Sequence, residues 1–191
     1  MKKITRREAI TTSALVLGGT LVGSQVLLTA CSAPEKGTGL FSVADIKFLD
    51  EIGETILPAT ASSPGAREVS IGKFMQIMVT DCFDSDNQKI FLEGIIKLDD
   101  FSRTTYNKKF MNLSGAEKQD LLVTVDEEAK KYGNSKPKNA PRHYFSLMKE
   151  LTLKGYFTSE PGATKALRYV PIPGRYDGCV DYAKGDPAWA T

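Results

Sequence analysis

The sequence contains few of the residues that build metal and redox sites. Its 191 residues include a single histidine, His143, and three cysteines, which is too little for the usual His and Cys metal cage. It has no glycine-rich phosphate loop, dinucleotide fingerprint, nucleophile elbow or CxxCH haem-attachment motif. It also lacks a basic excess, since 25 lysines and arginines stand against 23 aspartates and glutamates. The composition is therefore typical of a globular domain, and it does not indicate a nucleic-acid binder.

The first thirty residues have the pattern of an export signal. Four basic residues lie in the first eight positions, and residues 9–30 carry no charge. The uncharged run is only mildly apolar, which favours a cleaved signal over a permanent membrane span. The sequence around Arg6 and Arg7 resembles a twin-arginine motif, which directs folded proteins across the membrane. A chance pair of arginines in an ordinary signal is the alternative.

The end of this signal resembles a bacterial lipobox. Residues 28–31 read LTAC, and in a lipobox the cysteine, here Cys31, is lipidated and becomes the new N-terminus. The alternative is a plain signal peptide followed by an incidental cysteine. Removal of residues 1–30 takes away four basic residues and one acidic residue, which changes the formal net charge from +2 to −1. We expect a lipid-anchored protein on the periplasmic side of a bacterial cell envelope, with residues 31–41 as lipidated N-terminus and tether.

Hydrophobic periodicity predicts an all-α domain over residues 42–191, a compact bundle of about five helices. No alternating strand pattern of any length is present. The first helix begins at Ser42 and ends before Pro58, and the third begins near Ser85. The second covers about residues 71–83, with Phe74, Ile77, Met78 and Cys82 on one side. The fourth begins with the capping box of Ser114 and Glu117 and ends at Gly133, and the fifth has Pro141 in its first turn and ends at Gly155.

Residues 155–191 combine helix-breaking residues with aromatic ones. This stretch holds four of the nine prolines and five of the sixteen glycines, so we predict an irregular C-terminal segment. A segment of this kind packs against its own domain or against another chain, and aromatic side chains are enriched at interface cores. The candidate partner-interface residues are Tyr156, Phe157, Tyr169, Tyr176, Tyr182 and Trp189.

Two further groups of residues are candidates for chemical sites. His143 is a candidate general base if a carboxylate lies nearby, and a packing residue at the start of a helix is the favoured interpretation. Asp81, Asp84 and Asp86 lack the glycine and the terminal glutamate of a calcium loop, so a solvated turn is favoured. We assign no catalytic, cofactor-binding or metal-binding residue in this chain.

The cysteines offer one structural hypothesis. With Cys31 lipidated, Cys82 and Cys179 remain, and an oxidising periplasm favours a disulfide between them. Such a bridge would tie the C-terminal segment to the second helix. The alternative is two separate buried thiols, because the sequence does not show whether the geometry allows a bond.

Three stretches in order resemble the gluconate 2-dehydrogenase subunit 3 family. They are ILPAT at 56–60 with SPGA at 63–66, LTLKGYFTSE at 151–160, and PGRYDGC at 173–179. The resemblance extends over roughly residues 42–182. One departure is the pair Ala61 and Ser62, which stands where an acidic residue is usual.

This resemblance implies the non-catalytic small subunit of a membrane-associated, flavin-dependent dehydrogenase for sugars, polyols or sugar acids. FAD is then expected in a large partner subunit of the glucose–methanol–choline type, and haem c in a third, cytochrome c subunit. The twin-arginine signal would export the folded flavoprotein together with the small subunit. Two other hypotheses remain open at this point, a free-standing envelope lipoprotein that binds a ligand or protein, and a stand-alone enzyme built around His143.

Overall fold

The predicted all-α fold is confirmed. A computed structural model describes residues 39–172, 174–175 and 178–190, and in this part of the chain there are five α-helices and no β-strand. The helices are α1 (Val43–Ile56), α2 (Ile71–Cys82), α3 (Ser85–Tyr106), α4 (Gly115–Ser135) and α5 (Tyr144–Phe157). A 3-10 turn at Phe110–Asn112 and a π-helical turn at Gly162–Ala166 complete the regular structure.

The predicted signal peptide, the lipobox cysteine and most of the tether lie outside the described residues, so these features stay predictions. Among the helices that the structure does describe, none has the length and apolar character needed to cross a membrane.

Local capping fixes the first residues of three helices. Ser42 forms a capping box with Asp45 at the start of α1, and Ser114 forms one with Glu117 at the start of α4. Asp84 caps α3, and its Oδ1 accepts a hydrogen bond of 2.8 Å from the N–H of Asn87. Each side chain satisfies an N–H that the first helical turn leaves without a partner.

Helix α5 differs from the prediction at both ends. It is capped by His143 and begins at Tyr144, so Pro141 lies before the helix and not in its first turn. It also continues past Gly155 to Phe157. Gly155 lies inside the helix, where a Cβ atom would overlap the side chains of Ile71 and Phe74 of the neighbouring α2, so the glycine serves close helix packing and does not end the helix. Helix α4 likewise continues past Gly133 to Ser135.

Helix α5 is the centre of the bundle, because it packs against α1, α2, α3 and α4. All five helices contribute side chains to a single hydrophobic cluster. Its best buried members are Leu49 and Ile52 of α1, Met75 and Val79 of α2, Phe91 and Leu98 of α3, Val125 of α4, and Met148 of α5. Burial of side chains of this size supplies about 1.5–3 kcal/mol each toward folding, before the entropic cost is subtracted.

The buried face of α2 was predicted wrongly in one respect. Ile77 is 49% exposed, and Cys82 at the last turn is also exposed. Phe74 and Met78 of the predicted face are partly buried against the core, and the fully buried side chains are Ile71, Met75 and Val79, spaced four apart along the helix. Two apolar stripes compete in this short sequence, and the neighbouring helices decide which of them is covered.

Helices α1 and α2 approach closely at Gly72. A Cβ atom on Gly72 would overlap the carbonyl oxygen of Ile46. The N–H of Gly72 donates a hydrogen bond of 2.7 Å to Oδ1 of Asp50 on α1. Burial raises the pKa of this aspartate, against the opposing effects of that hydrogen bond and of Arg67. The carboxylate thus serves the start of α2, where the N-cap residue Ser70 makes no side-chain cap.

Candidate functional site

The irregular segment after α5 is the candidate site, and we call residues 167–190 the C-terminal arm. The π-helical turn Gly162–Ala166 joins α5 to the arm, and Ala166 packs against the core. A side chain on Gly162 would overlap the carbonyl of Tyr156, so only glycine permits this tight turn. The N–H of Leu167 then donates to the carbonyl of Gly162 at 3.0 Å. The start of the arm is therefore fixed to the helical domain.

The arm closes on itself around Arg168. The N–H of Arg168 donates to the carbonyl of Ala188 at 2.7 Å, and the N–H of Ala190 donates to the carbonyl of Arg168 at 3.0 Å. The Arg168 guanidinium carbon lies 4.8 Å from the centre of the Trp189 ring, and a guanidinium nitrogen lies 3.5 Å from Oδ2 of Asp186. We call these contacts the Arg168 clasp. They combine two backbone hydrogen bonds, a cation–π contact and an ion pair.

The arm exposes apolar side chains to solvent, most of them in the segment between Arg168 and its clasp partners at residues 186–190. Ile172 is 85% exposed and Tyr182 is 74% exposed. Four others are about half exposed, namely Tyr169, Val170, Val180 and Trp189. Single exposed apolar residues are ordinary on protein surfaces, but a run of them in one segment is typical of an interaction site. The arm is otherwise neutral, since it holds three basic and three acidic residues.

The six candidate interface aromatics fall into four groups. Tyr169, Tyr182 and Trp189 are exposed on the arm. Phe157 is about one-third exposed, and its ring packs edge-on against the Tyr156 ring at 5.1 Å between centroids. Tyr176 lies outside the described residues.

Tyr156 itself is not a surface residue. It is 3% exposed, and its hydroxyl donates a hydrogen bond of 2.6 Å to the carbonyl of Pro64. Because α5 continues past Gly155, Tyr156 falls one helical turn after the buried Thr152 and shares its inward face. Its assignment to the partner interface is corrected to a core position.

The loop between α1 and α2 carries the ILPAT and SPGA stretches, and Glu54 holds it together. One carboxylate oxygen of Glu54 accepts from the N–H of Ala59 at 3.1 Å, and the other accepts from the N–H of Arg67 at 2.9 Å. The Thr60 hydroxyl accepts from the N–H of Ser63 at 3.1 Å. Sequence reasoning missed Glu54. The available signal was a carboxylate near the C-terminal end of a helix, where the helix dipole disfavours it.

His143 is a capping and packing residue. Its Nδ1 accepts a hydrogen bond of 3.3 Å from the N–H of Phe145, and its ring lies 4.4 Å from the Tyr144 ring between centroids. Burial lowers the pKa of His143, although the charge of Glu128 acts in the opposite direction. The structure therefore supports the packing interpretation over the general-base hypothesis.

The three aspartates flank a helix-to-helix turn, as expected: Asp81 lies in the last turn of α2, Asp84 in the connection and Asp86 in the first turn of α3. Asp84 is the cap of α3, and hydrogen bonds from Asn87 lower the pKa of its carboxyl group. Within residues 39–172, 174–175 and 178–190, no group of three or more His, Cys, Asp or Glu side chains is placed to hold a metal ion. Cys82 and Cys179 are both exposed, free thiols. Of the two hypotheses for this pair, the disulfide is not formed in the structure, and the thiols are not buried as the alternative expected.

The comparison with protein families gives a match over most of the chain. The family model described as gluconate 2-dehydrogenase subunit 3 matches residues 44–174. This range contains all five helices, the Glu54 loop and the first residues of the arm. Neither the curated proteins nor the solved structures give a match to this chain. The chain belongs to the gluconate 2-dehydrogenase subunit 3 family, and is thus related to subunits of a multi-subunit dehydrogenase complex.

Proposed function

We propose that this chain is the non-catalytic small subunit of a membrane-associated, flavin-dependent dehydrogenase that oxidises sugars, sugar acids or polyols. Its partner is a large, FAD-bearing subunit of the glucose–methanol–choline type, and a cytochrome c subunit with haem c accepts the electrons. The small subunit assists the folding, assembly and export of the large one. Family membership supports a role in a dehydrogenase complex, and the exposed apolar arm is the observation that carries the partner-binding role.

The contrast in burial between the helical domain and the arm supports a partner-binding role for the arm. The five helices bury most of their large apolar side chains in one cluster and leave single ones, such as Ile77 and Ile96, in solvent. The arm instead leaves aromatic and aliphatic side chains in solvent, with Ile172 and Tyr182 the most exposed of them. Apolar and aromatic side chains contribute most to binding when a partner removes them from water. The arm is therefore the part of the described chain best suited to hold a second subunit.

The export signal fits a subunit that travels with a flavoprotein. A flavoprotein acquires its FAD in the cytoplasm, so it has to cross the membrane already folded. The twin-arginine route carries folded proteins, and Arg6 and Arg7 would supply that signal for both chains. Lipidation of Cys31 would then hold the assembled complex at the periplasmic face, since several acyl chains anchor a protein stably where one does not.

Co-purification tests the assembly part of the proposal. The tagged full-length chain is extracted from native membranes in mild detergent and purified. We expect a large partner that carries FAD, recognised by its flavin absorbance and by sugar or polyol dehydrogenase activity. A colourless chain that purifies alone under these conditions would contradict the proposal and favour a free-standing lipoprotein.

A charge-conserving replacement tests the export part. Replacement of both Arg6 and Arg7 by lysine should leave both this chain and the flavoprotein in the cytoplasm. The matched control replaces Lys2 and Lys3 by arginine, which keeps the charge and leaves the arginine pair intact, and it should export normally. If the flavoprotein still reaches the periplasm when lysine replaces both members of the arginine pair, the shared export route is wrong.

A further inference from the structure

We propose that the Arg168 clasp pre-forms the C-terminal arm as a closed loop, and that this loop is the docking element for the FAD-bearing large subunit. Arg168 and Trp189 act in this as positioning residues, which shape the arm. Ile172 and Tyr182 are contact residues. The inference rests on the proposed function, because it names the surface through which that function is carried out.

The clasp joins residues that are far apart in sequence. Arg168 follows directly after the turn that packs on the core, while its partners Asp186, Ala188, Trp189 and Ala190 lie about twenty residues further on. Outside the clasp, the arm has no helix or strand among its described residues. An irregular segment held only at its start would sample many conformations, and closure of its two ends removes most of that freedom. The clasp therefore restricts the conformations that the loop between its two ends can adopt.

The exposed apolar side chains belong to the segment of chain between the two ends of the clasp. Tyr169, Val170, Ile172, Val180 and Tyr182 all fall between the two halves of the clasp. A loop that is already shaped loses less conformational entropy on binding than a free one, so its affinity for a partner is higher. A pre-formed loop that holds apolar side chains in solvent is therefore suited to bind a partner that covers those side chains.

The charge of the arm helps to identify the occupant. Its three basic and three acidic residues cancel, so the arm has no electrostatic attraction to anionic lipids or to nucleic acid. An uncharged surface of aromatic and aliphatic side chains matches the core of a protein–protein interface. Since the chain is related to subunits of a dehydrogenase complex, the flavin-bearing large subunit is the occupant that we assign.

The clasp can be observed directly, because Trp189 is the only tryptophan in the sequence. Selective tryptophan excitation of the isolated full-length chain in detergent reports on the ring that Arg168 covers. Replacement of Arg168 by alanine should make Trp189 more accessible to a neutral quencher and shift its emission to the red. Helical content and thermal unfolding of the domain should not change, since the arm lies outside the core. Unchanged quenching of Trp189 would mean that the clasp does not form in solution.

The affinity test uses the large subunit purified from the wild-type complex. R168A and Trp189→Ala should each raise the Kd for this subunit about five- to thirtyfold. This is the change expected when the clasp no longer favours the binding-competent conformation of the arm and that conformation becomes less populated. Trp189→Phe keeps a ring for the guanidinium and should restore most of the affinity. Ile172→Ser should also weaken binding. Its matched control is Ile96→Ser on α3, where the isoleucine is 63% exposed, and this variant should bind as the wild type does.

The outcomes separate the two proposals. If the wild-type chain has no flavin-bearing partner, the proposed function fails and the clasp inference fails with it. If the wild type binds the large subunit and R168A binds it equally well, the clasp inference is wrong while the proposed function stands. A full-length chain that self-associates through the arm, and loses this association in Ile172→Ser, would reassign the surface to a second copy of the chain. Binding to vesicles of acidic lipid that Ile172→Ser abolishes would reassign it to the membrane.

Discussion

Tyr156 provides a sharp test of where the domain ends and the partner surface begins. In Tyr156→Phe the ring stays, and only the hydroxyl that donates to the carbonyl of Pro64 at 2.6 Å is removed. The residue is 3% exposed, so little water is available to replace this bond. Loss of a hydrogen bond that leaves its partner poorly solvated costs about 1–2 kcal/mol. We therefore expect a lower free energy of unfolding and a decrease in Tm of about 2–8 °C for a domain of this size.

Urea denaturation of the full-length chain, followed by circular dichroism, measures this effect. The midpoint should fall while the slope m stays unchanged, because the same surface is exposed on unfolding. The matched control is Tyr169→Phe on the arm. Its side chain is 52% exposed, and a surface substitution of this kind changes stability by less than about 0.5 kcal/mol. If Tyr156→Phe unfolds at the wild-type midpoint but binds the large subunit more weakly, then Tyr156 faces the partner and its core assignment is wrong.

Three further perturbations follow from the helical domain. Gly72→Ala places a methyl group against the carbonyl of Ile46 and should lower the free energy of unfolding, measured by urea denaturation, by about 1–3 kcal/mol. The matched control is Gly133→Ala, which has open space around it and should stabilise α4 by up to about 1 kcal/mol. Equal effects of the two substitutions would refute the close approach of α1 and α2. The hydrogen bonds from Ser114 and Lys108 lower the pKa of Glu117 from 4.5 to about 2. The contribution of the Glu117 carboxylate to stability should therefore be complete above pH 4.5 and be lost as the pH falls toward 2. An NMR titration of Glu117 with a midpoint near 4.5 would contradict this. His143→Asn keeps a capping acceptor but removes the ring that packs against Tyr144, so it should lower the stability modestly and leave the dehydrogenase activity of the complex unchanged. A loss of activity much larger than the loss of stability explains would favour the general-base hypothesis.

The parts of the fold that were predicted correctly depend on short-range signals. Ser42 was predicted to start the first helix and Ser114 to form a capping box with Glu117 three residues further on, and both caps form. Apolar spacing then gave the number of helices and the all-α class. In each case the residues that carry the information are neighbours in the chain, so no knowledge of the tertiary structure is required.

The errors concern positions where tertiary contacts decide. Gly155 was expected to end α5, but close packing against α2 requires a glycine inside the helix. Its reassignment moves Tyr156 from the predicted interface to the core. Ile77 has the same apolar character as the buried residues of α2, and only the positions of the neighbouring helices leave it exposed.

The side-chain contacts that hold the α1–α2 loop and the C-terminal arm were not predicted. Glu54 binds backbone N–H groups five and thirteen residues further on, and Arg168 stacks on Trp189 at the other end of the arm. Neither arrangement has a sequence period, because each depends on the path of a loop. The aromatic, proline- and glycine-rich composition indicated that the arm is special, but it did not indicate how the arm is held.

The clasp also allows the arm to open separately from the bundle. The clasp consists of two backbone hydrogen bonds and the side-chain contacts of Arg168, whereas the five helices share one continuous core. Amide protons in the arm should therefore exchange with solvent through local opening, while those of α5 exchange only when the domain unfolds globally. The same separation matters for the divergence of related chains. If the arm docks onto the large subunit as proposed, its sequence could change to match a different partner without altering the residues of the helical core.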